Sequence, residues 1–444
     1  MGKRAPSAKR MNLLYSNDTQ GNYPESWYSA TAKQLNVFPS LKGTQKYDIC
    51  IVGAGYTGLS TALHLSNLGY SVAVVDAHRV GFGASGRNGG QLGTGQRINQ
   101  DELVHQLGEN SADDMWLLAN DAVSTVKEII RKNRIDCQIK PGIATLGFNS
   151  REVKELHKYA EYLEKRYNYN KLEILNHTDC NTLCCSKKYK GGILDMNAAH
   201  LHPLRFVFGL AKAAVQAGTN IFEYSEVVKL VPGKVNRTIT KVGEIQSEFV
   251  VLGCNGYLGN LEPRVAAKVM PINNFIIATE PLGSRAESIL TKDIAVADTK
   301  FVVNYFRLSK DKRLLFGGGE NYSYKFPKSI TSTVLKPMLE IFPQLSDVKI
   351  DYAWGGTLGI TRQRMPYFCR LTDRILSVSG YSGHGLGTAT HAGKLIAMAI
   401  NGQHDGFNTM ASIPIKSFPG GAKYKSPLLI LAMTWYALRD KLGI

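Results

Sequence analysis

An apolar run, Tyr47-Asp-Ile-Cys-Ile-Val52, enters Gly53-Ala54-Gly55-Tyr56-Thr57-Gly58 without a break, and this junction constrains the chain more than any other feature. Residues 59–68 continue as a helix-like stretch closed by Gly69. Ser71-Val-Ala-Val-Val75 then reads as a second buried strand, with Asp76 at its end. Strand, glycine turn, helix and parallel strand make one βαβ unit. Each part has a physical task. Gly53 permits a tight turn, Gly55 lets a pyrophosphate approach the backbone, and Gly58 lets the helix lie close to the strand. The free N–H groups and partial positive charge at the helix start favour phosphate. Asp76, 18 residues past Gly58, is spaced to accept hydrogen bonds from ribose hydroxyls and would repel a 2′-phosphate. The glycines alone are weak evidence, but with strand, helix, second strand and acid in order they predict a dinucleotide site.

Two further glycine clusters bear on which dinucleotide. Gly81-Phe-Gly83-Ala84-Ser85-Gly86-Arg87-Asn88-Gly89-Gly90-Gln91 follows Asp76 closely. Gly380-Tyr381-Ser382-Gly383-His384-Gly385-Leu386-Gly387 lies near the other end, before a helix-like stretch at 388–400. Parts of the chain this far apart point to a fold wrapped around a long ligand. An NAD domain needs only the first fingerprint, whereas FAD also needs contacts to its ribityl chain and ring.

Composition narrows the classes. With 444 residues, two or three domains are expected. Apolar residues at 44% and charged residues at 20% exclude a disordered chain. Seven cysteines without a Cys-x-x-Cys pair are too few for a disulfide scaffold. Ordinary thiols in a reducing compartment fit better, and a cytoplasmic location is expected. His177, Cys180, Cys184 and Cys185 crowd together but lack the two spaced pairs of a structural zinc site, so no metal is expected. No uncharged apolar run reaches the roughly 20 residues of a bilayer span. The first 45 residues read as an irregular arm, basic at its start and without the apolar core of a secretory signal. Residues 427–438 read as a C-terminal helix, docked on the body or lying at a membrane interface.

The formal charge is +17, of which four positives lie in the first ten residues. Nucleic acid, an anionic surface and an anionic ligand compete to explain it. A flavoprotein acting on RNA is one reading, but beyond residue 10 no basic run is interleaved with aromatics, so no nucleic-acid partner is expected. A decayed site in an interaction protein is another, and the intact glycines oppose it. In the middle of the chain, 112–131 and 152–166 carry helical patterns, and 193–195, 249–253 and 375–378 read as short buried strands.

The fingerprint, the 83–90 segment and Gly383-His-Gly-Leu386 together resemble the D-amino-acid oxidase/sarcosine oxidase superfamily of FAD-dependent oxidoreductases, from about residue 46 to about 402. Three more segments resemble its gamma-glutamylputrescine oxidase branch: Cys254-Asn-Gly-Tyr-Leu-Gly259, residues 269–281 (Val-Met-Pro-Ile-Asn-Asn-Phe-Ile-Ile-Ala-Thr-Glu-Pro) and residues 354–366 (Trp-Gly-Gly-Thr-Leu-Gly-Ile-Thr-Arg-Gln-Arg-Met-Pro). Residues 428–442 resemble that branch's C-terminal helix. The resemblance implies an α/β fold: a Rossmann-like FAD-binding domain interleaved with an antiparallel-sheet α+β substrate domain. It implies a discontinuous FAD domain at 46–100, 190–262 and 370–405, a substrate domain at 101–189 and 263–369, an arm at 1–45 and an extension at 406–444.

Position by position, the resemblance gives Gly53, Ala54, Gly55, Tyr56, Thr57 and Gly58 to the pyrophosphate, and Asp76 with Ala77 to the adenosine ribose. Gly83, Ala84, Ser85, Arg87, Asn88, Gly89, Gly90, Gln91 and Leu92 would run beside the ribityl chain and ring. Val227 would meet adenine through its backbone, and Cys254 is a further cofactor-binding candidate. Gly383, His384, Gly385, Leu386, Gly387 and Thr388 would meet the ring and open a helix aimed at it. Relatives that tether flavin covalently carry Cys within the stretch matching 355–361; Gly356 stands there, so the FAD is expected to be non-covalent. Gln363 stands where many relatives carry Asp.

The implied reaction is amine oxidation in putrescine catabolism. Hydride leaves the carbon beside an amine nitrogen for flavin N5, O2 is reduced to H2O2, and the imine is hydrolysed to an aldehyde. The substrate resembles gamma-glutamylputrescine; the alternative is an N-methylated or cyclic amino acid, taken by an oxidase or a dehydrogenase. His384 is the catalytic candidate, either as a donor or proton carrier beside the ring or as a loop residue whose backbone alone matters. Tyr305, Trp354 and Tyr381 either wall the substrate pocket or pack the core. Arg362 and Arg364 either bind a substrate carboxylate or sit solvated on a loop. Arg264 and Lys268 are candidates beside oxygen, with no spacing that demands it. The oligomeric state is left open.

Overall fold

The computed structural model describes residues 12–321 and 323–419. The basic cluster in the first ten residues and the helix expected at 427–438 lie outside the described residues. The fingerprint strand, Gly43–Val52, is central in a sheet of eight strands. The order is Tyr367–Thr372, Ile375–Ser379, Gly243–Leu252, Gly43–Val52, Val72–Val75 and Asn220–Phe222, with the hairpin Val227–Val231/Asn236–Thr240 attached to Gly243–Leu252. Gly43–Val52 pairs in parallel with both its neighbours. Such strands are covered on both faces, which is why 49–52 and 72–75 are unbroken apolar runs and fully buried.

Two helices cover the fingerprint strand where it ends. Tyr56–Asn67 starts directly after the glycine turn, and Gly385–Ile400 crosses it. The crossing is close because Gly393 sits in it; a Cβ there would lie 2.6 Å from both Ser60 Cβ and the Thr61 nitrogen. A second sheet of nine strands runs Ile350–Ile360, Met270–Thr279, Leu314–Asn321, Tyr305–Leu308, Ala295–Asp298, Lys140–Gly147, Gly191–His200 and Gln91–Leu92, with Leu172–Leu175 paired to Gly191–His200. Its pairs are antiparallel except Ala295–Asp298 with Lys140–Gly147. The fold is thus α/β, a Rossmann-like parallel sheet interleaved with an antiparallel sheet and its helices.

The strand pairing differs from the expected domain bounds at three strands. Gly191–His200 and Gln91–Leu92 hydrogen-bond in the second sheet, and Tyr367–Thr372 belongs wholly to the first. A run of apolar residues identifies a buried strand but not the sheet that buries it. Residues 12–42 are also more than an arm. Trp27, Tyr28 and Leu41 are only 2%, 0% and 0% exposed, and a short helix, Trp27–Thr31, starts with a Ser26/Ser29 capping box.

Candidate functional site

The glycine turn is held from two directions. Gly53 N–H donates to Val75 O at 2.8 Å, with φ at +108°, a conformation glycine adopts freely. The Ala54 and His78 N–H groups donate to the two oxygens of Asp76, at 2.7 and 2.8 Å. Burial pushes this carboxyl up to about 6 against those hydrogen bonds. Gly58 is required sterically: a Cβ there would lie 1.9 Å from Gly53 O.

The second glycine segment folds over the first. Ser85 Oγ accepts from Tyr56 N–H at 3.0 Å. Asn88 Nδ2 donates to Ala84 O and Ser85 O, while its Oδ1 accepts from Gly90 N–H at 2.8 Å. Buried Arg307 donates to Gly89 O at 3.2 Å and Leu201 O at 3.1 Å, pinning the segment to the second sheet. Gly383, at φ +88° with open space where a Cβ would stand, leads into the helix that starts at Gly385.

These pieces enclose one cavity of about 610 Å³. Its wall includes residues 53–57, Asp76, Ala77, 83–85, 87–89, Gln91, Val227, Cys254 and 383–386. Gly58, Gly90, Leu92, Gly387 and Thr388 stand behind the wall. Gly58 and Gly90 supply close backbone contact, a Cβ on Gly90 lying 2.1 Å from Leu201 O. Leu92 is fully buried, and Thr388 caps back onto His384 O at 2.9 Å.

His384 Nε2 lies 3.1 Å from Gly95 O, so that nitrogen carries the proton and Nδ1 is an acceptor. Burial, and then the charge of Arg97, push its pKa down to about 4. The ring is therefore neutral near pH 7, with its N–H committed to a carbonyl. Trp354 is a core residue, its Nε1 donating to Arg87 O at 3.1 Å, whereas Tyr381, with its OH 2.6 Å from Thr57 Oγ1, is buried and also lines the cavity. Tyr305 does wall the cavity, its ring lying over Gly89 and Gly317 and its hydroxyl donating to Asn274 Oδ1. Burial raises that phenol's pKa, so it stays protonated.

The two arginines separate. Arg362 faces outward to Ser417 O at 3.2 Å, while Arg364, at φ +61°, lines the cavity with its guanidinium 5.4 Å from the Phe301 ring. Arg264 is paired with Glu262 at 2.9 Å, and Lys268 lies over the Tyr367 ring at 4.5 Å; neither lines the cavity. The structure adds wall residues that sequence reasoning did not single out. Arg97, bonded to Ser382 O at 3.1 Å, senses the charge of Arg364. Asn274 and Glu320 line the same end. Asn274 falls in a segment that carries the family resemblance; Arg97 had no motif around it. Among the described residues, no group of His, Cys, Asp and Glu could hold a metal, and no helix is long and apolar enough to cross a membrane.

A glycine turn closing parallel strands, an acid beside it, a second glycine segment and a helix start converging on one long cavity define a protein that binds a two-part nucleotide cofactor. The volume lies within the roughly 300–1,000 Å³ of ordinary ligand sites. The family model for FAD dependent oxidoreductases matches residues 48–399, and the chain belongs to that family. It is 36% identical over 425 residues to gamma-glutamylputrescine oxidoreductase of Escherichia coli, covering 95% of this chain and 99% of that one. It is 40% identical to probable oxidoreductase OrdL of Rhizobium meliloti, covering 94% and 97%. Glycine oxidase from Geobacillus kaustophilus shares the fold at a TM-score of 0.67 and 19% identity, over 80% of this chain and 95% of that one. The chain is therefore a FAD-dependent oxidoreductase.

Proposed function

We propose that this enzyme oxidises an amine of the gamma-glutamylputrescine type, with O2 as electron acceptor. One CH–NH bond gives up two electrons and two protons to form an imine, O2 takes them up as H2O2, and water hydrolyses the imine to an aldehyde. The carrying observation is the single cavity that runs from the glycine turn to Tyr305, Asn274, Arg97 and Arg364. The resemblance to the Escherichia coli enzyme along nearly its whole length supports the substrate class. FAD supplies the hydride-accepting ring and passes electrons on to oxygen.

The chain's own groups do the rest. Residues 53–57, Asp76, 83–92, Val227, Cys254 and 383–388 hold the cofactor without a covalent link. The helix that starts at Gly385 in the cavity wall would offer its N-terminal N–H groups and partial positive charge to a bound flavin ring. The buried wall around Tyr305 disfavours a charged amine and so keeps the reacting nitrogen neutral. Arg364 and Arg97 take the substrate carboxylate. Neutral His384 ties residue 95 to the ring loop and offers Nδ1 as an acceptor, a positioning role. The seven free cysteines fit a cytoplasmic enzyme.

The test is an anaerobic titration with gamma-glutamylputrescine, putrescine, sarcosine, proline and glycine. Bleaching of flavin absorbance by the first, with peroxide formed once air is admitted, is expected. Bleaching only by sarcosine, proline or glycine would overturn the substrate, and reduction of acceptor dyes alone would overturn the acceptor.

A further inference from the structure

Residues 12–26 precede the 48–399 span of the family model. They nevertheless form part of the cavity's surroundings, and Leu14 is in its wall. On the first-sheet side, Tyr15 OH donates to Glu226 at 2.9 Å, and Gln20 to Ala77 O at 3.1 Å. His78 gives both ring nitrogens to this segment: Nε2–H donates to Leu14 O at 2.7 Å, and Nδ1 accepts from Gly21 N–H at 3.1 Å. On the second-sheet side, Asn17 donates to Tyr324 O and accepts from Phe326 N–H, each at 2.8 Å. The segment thus bridges the two sheets beside the cavity.

Between these ends stands Asp18. Its carboxylate meets Arg87 Nη1 at 2.9 and 3.1 Å, and the two side chains are 11% and 1% exposed. Arg87 is itself in the wall. It donates to Phe82 O at 2.6 Å and Gly355 O at 3.2 Å, and its guanidinium lies 4.6 Å from the Phe82 ring. Phe82 stacks on His78 at 3.9 Å and 4°. Arg87 Nη2 is buried with no hydrogen-bond partner among the described residues, a donor that a polar ligand in the cavity can satisfy. Asp18 therefore supplies the counter-charge for a buried guanidinium that would otherwise be unpaired.

We propose that residues 12–26 are a clasp that retains FAD. The cofactor leaves when this segment lifts from His78, Glu226 and Arg87, and Asp18 is a positioning residue that keeps Arg87 on the wall. The proposal goes beyond the amine reaction and needs no substrate for its test, so failure of the amine titration leaves it standing. The closed segment raises FAD affinity as well as slowing its loss, so by linkage bound FAD favours the closed segment in equal measure.

Two measurements on the full-length holoenzyme test this. The first follows released FAD by its fluorescence after dilution. Asp18→Asn and Leu14→Ala are expected to speed release at least tenfold, and Asp18→Glu to restore slow release, all read well below the apoprotein melting point of each variant, which loss of the buried counter-charge lowers in Asp18→Asn. The second is hydrogen exchange on the unmodified chain, expected to be slower at residues 12–26 with FAD than without. Release within twofold of the parent in both fast variants would overturn the clasp. Equal exchange at 12–26 with and without FAD would overturn it too, even if no variant folds.

Discussion

Asp76→Asn tests the cradle most directly. The carboxylate accepts from two backbone N–H groups, Ala54 at 2.7 Å and His78 at 2.8 Å. An asparagine offers one oxygen and one NH2, so one of these donors must face another donor. A hydrogen bond to a charged group is worth about 1.5–3 kcal/mol. If that cost falls on the FAD-bound form, affinity drops roughly 10- to 150-fold. The assay is fluorescence quenching as apoprotein is titrated with FAD. The same carboxyl predicts a pH effect. Its pKa in the fold is about 6, above the 3.8 of an ordinary aspartate. The folded state therefore holds the proton more tightly than the unfolded one. The burden of a buried carboxylate is present above pH 6 and is relieved as pH falls from about 6 towards 3.8. FAD affinity should move oppositely, weakening below pH 6 in the parent as the acceptor is protonated, and staying flat through this range in Asp76→Asn. Equal affinity of parent and variant at pH 8 would refute the assignment of Asp76 to the cradle.

Gly58→Ala places a Cβ 1.9 Å from Gly53 O, so the purified variant should carry little flavin and melt well below the parent, read as the flavin-to-protein absorbance ratio and the melting point. His384, held near pKa 4, stays neutral from pH 6 to 9; an imidazole midpoint above 6 by NMR would contradict its burial beside Arg97. Because its folded pKa is depressed, its favourable contribution to stability is present above the ordinary histidine range and is lost as pH falls towards 4. Arg364→Ala should raise KM for a carboxylate-bearing amine tenfold or more with kcat changed little, whereas Arg362→Ala, at an outward-facing position, should leave both as they are.

How much of this was legible beforehand follows from sequence distance. The βαβ unit is contiguous, so its apolar runs, Gly53, Gly58 and Asp76 could be read locally. The helix at 385–400 showed itself by composition and by the glycines before it. The partners across the fold could not be read. Asp18 and Arg87 lie 69 residues apart and Thr57 and Tyr381 324 apart, and no period in the sequence links either pair. Gly191–His200 looked like any buried strand, and only its hydrogen bonds to Lys140–Gly147 assign its sheet. The 12–42 segment read as irregular because it nearly is. Its attachment comes from single side chains such as Trp27, Tyr28 and Asn17, which carry no pattern.

The mode of retention joins these observations into a last prediction. Attaching flavin through cysteine needs a thiolate, since the thiol itself is a poor nucleophile. Gly356 stands in the stretch where tethering relatives carry Cys, and Cys254 is the one cysteine in the cavity wall. Burial pushes Cys254 up to about 12, and its Sγ lies 3.4 Å from Val52 O, to which the thiol donates. At pH 7–8 it is a neutral thiol turned to the backbone. Retention is then expected to come from hydrogen bonds, helix ends and enclosure. Precipitating the holoenzyme with acid should leave a colourless pellet and all of the flavin in the supernatant. A yellow pellet that survives washing in denaturant would mean a covalent bond, and would remove the need for Asp18 and its neighbours to hold the cofactor in place.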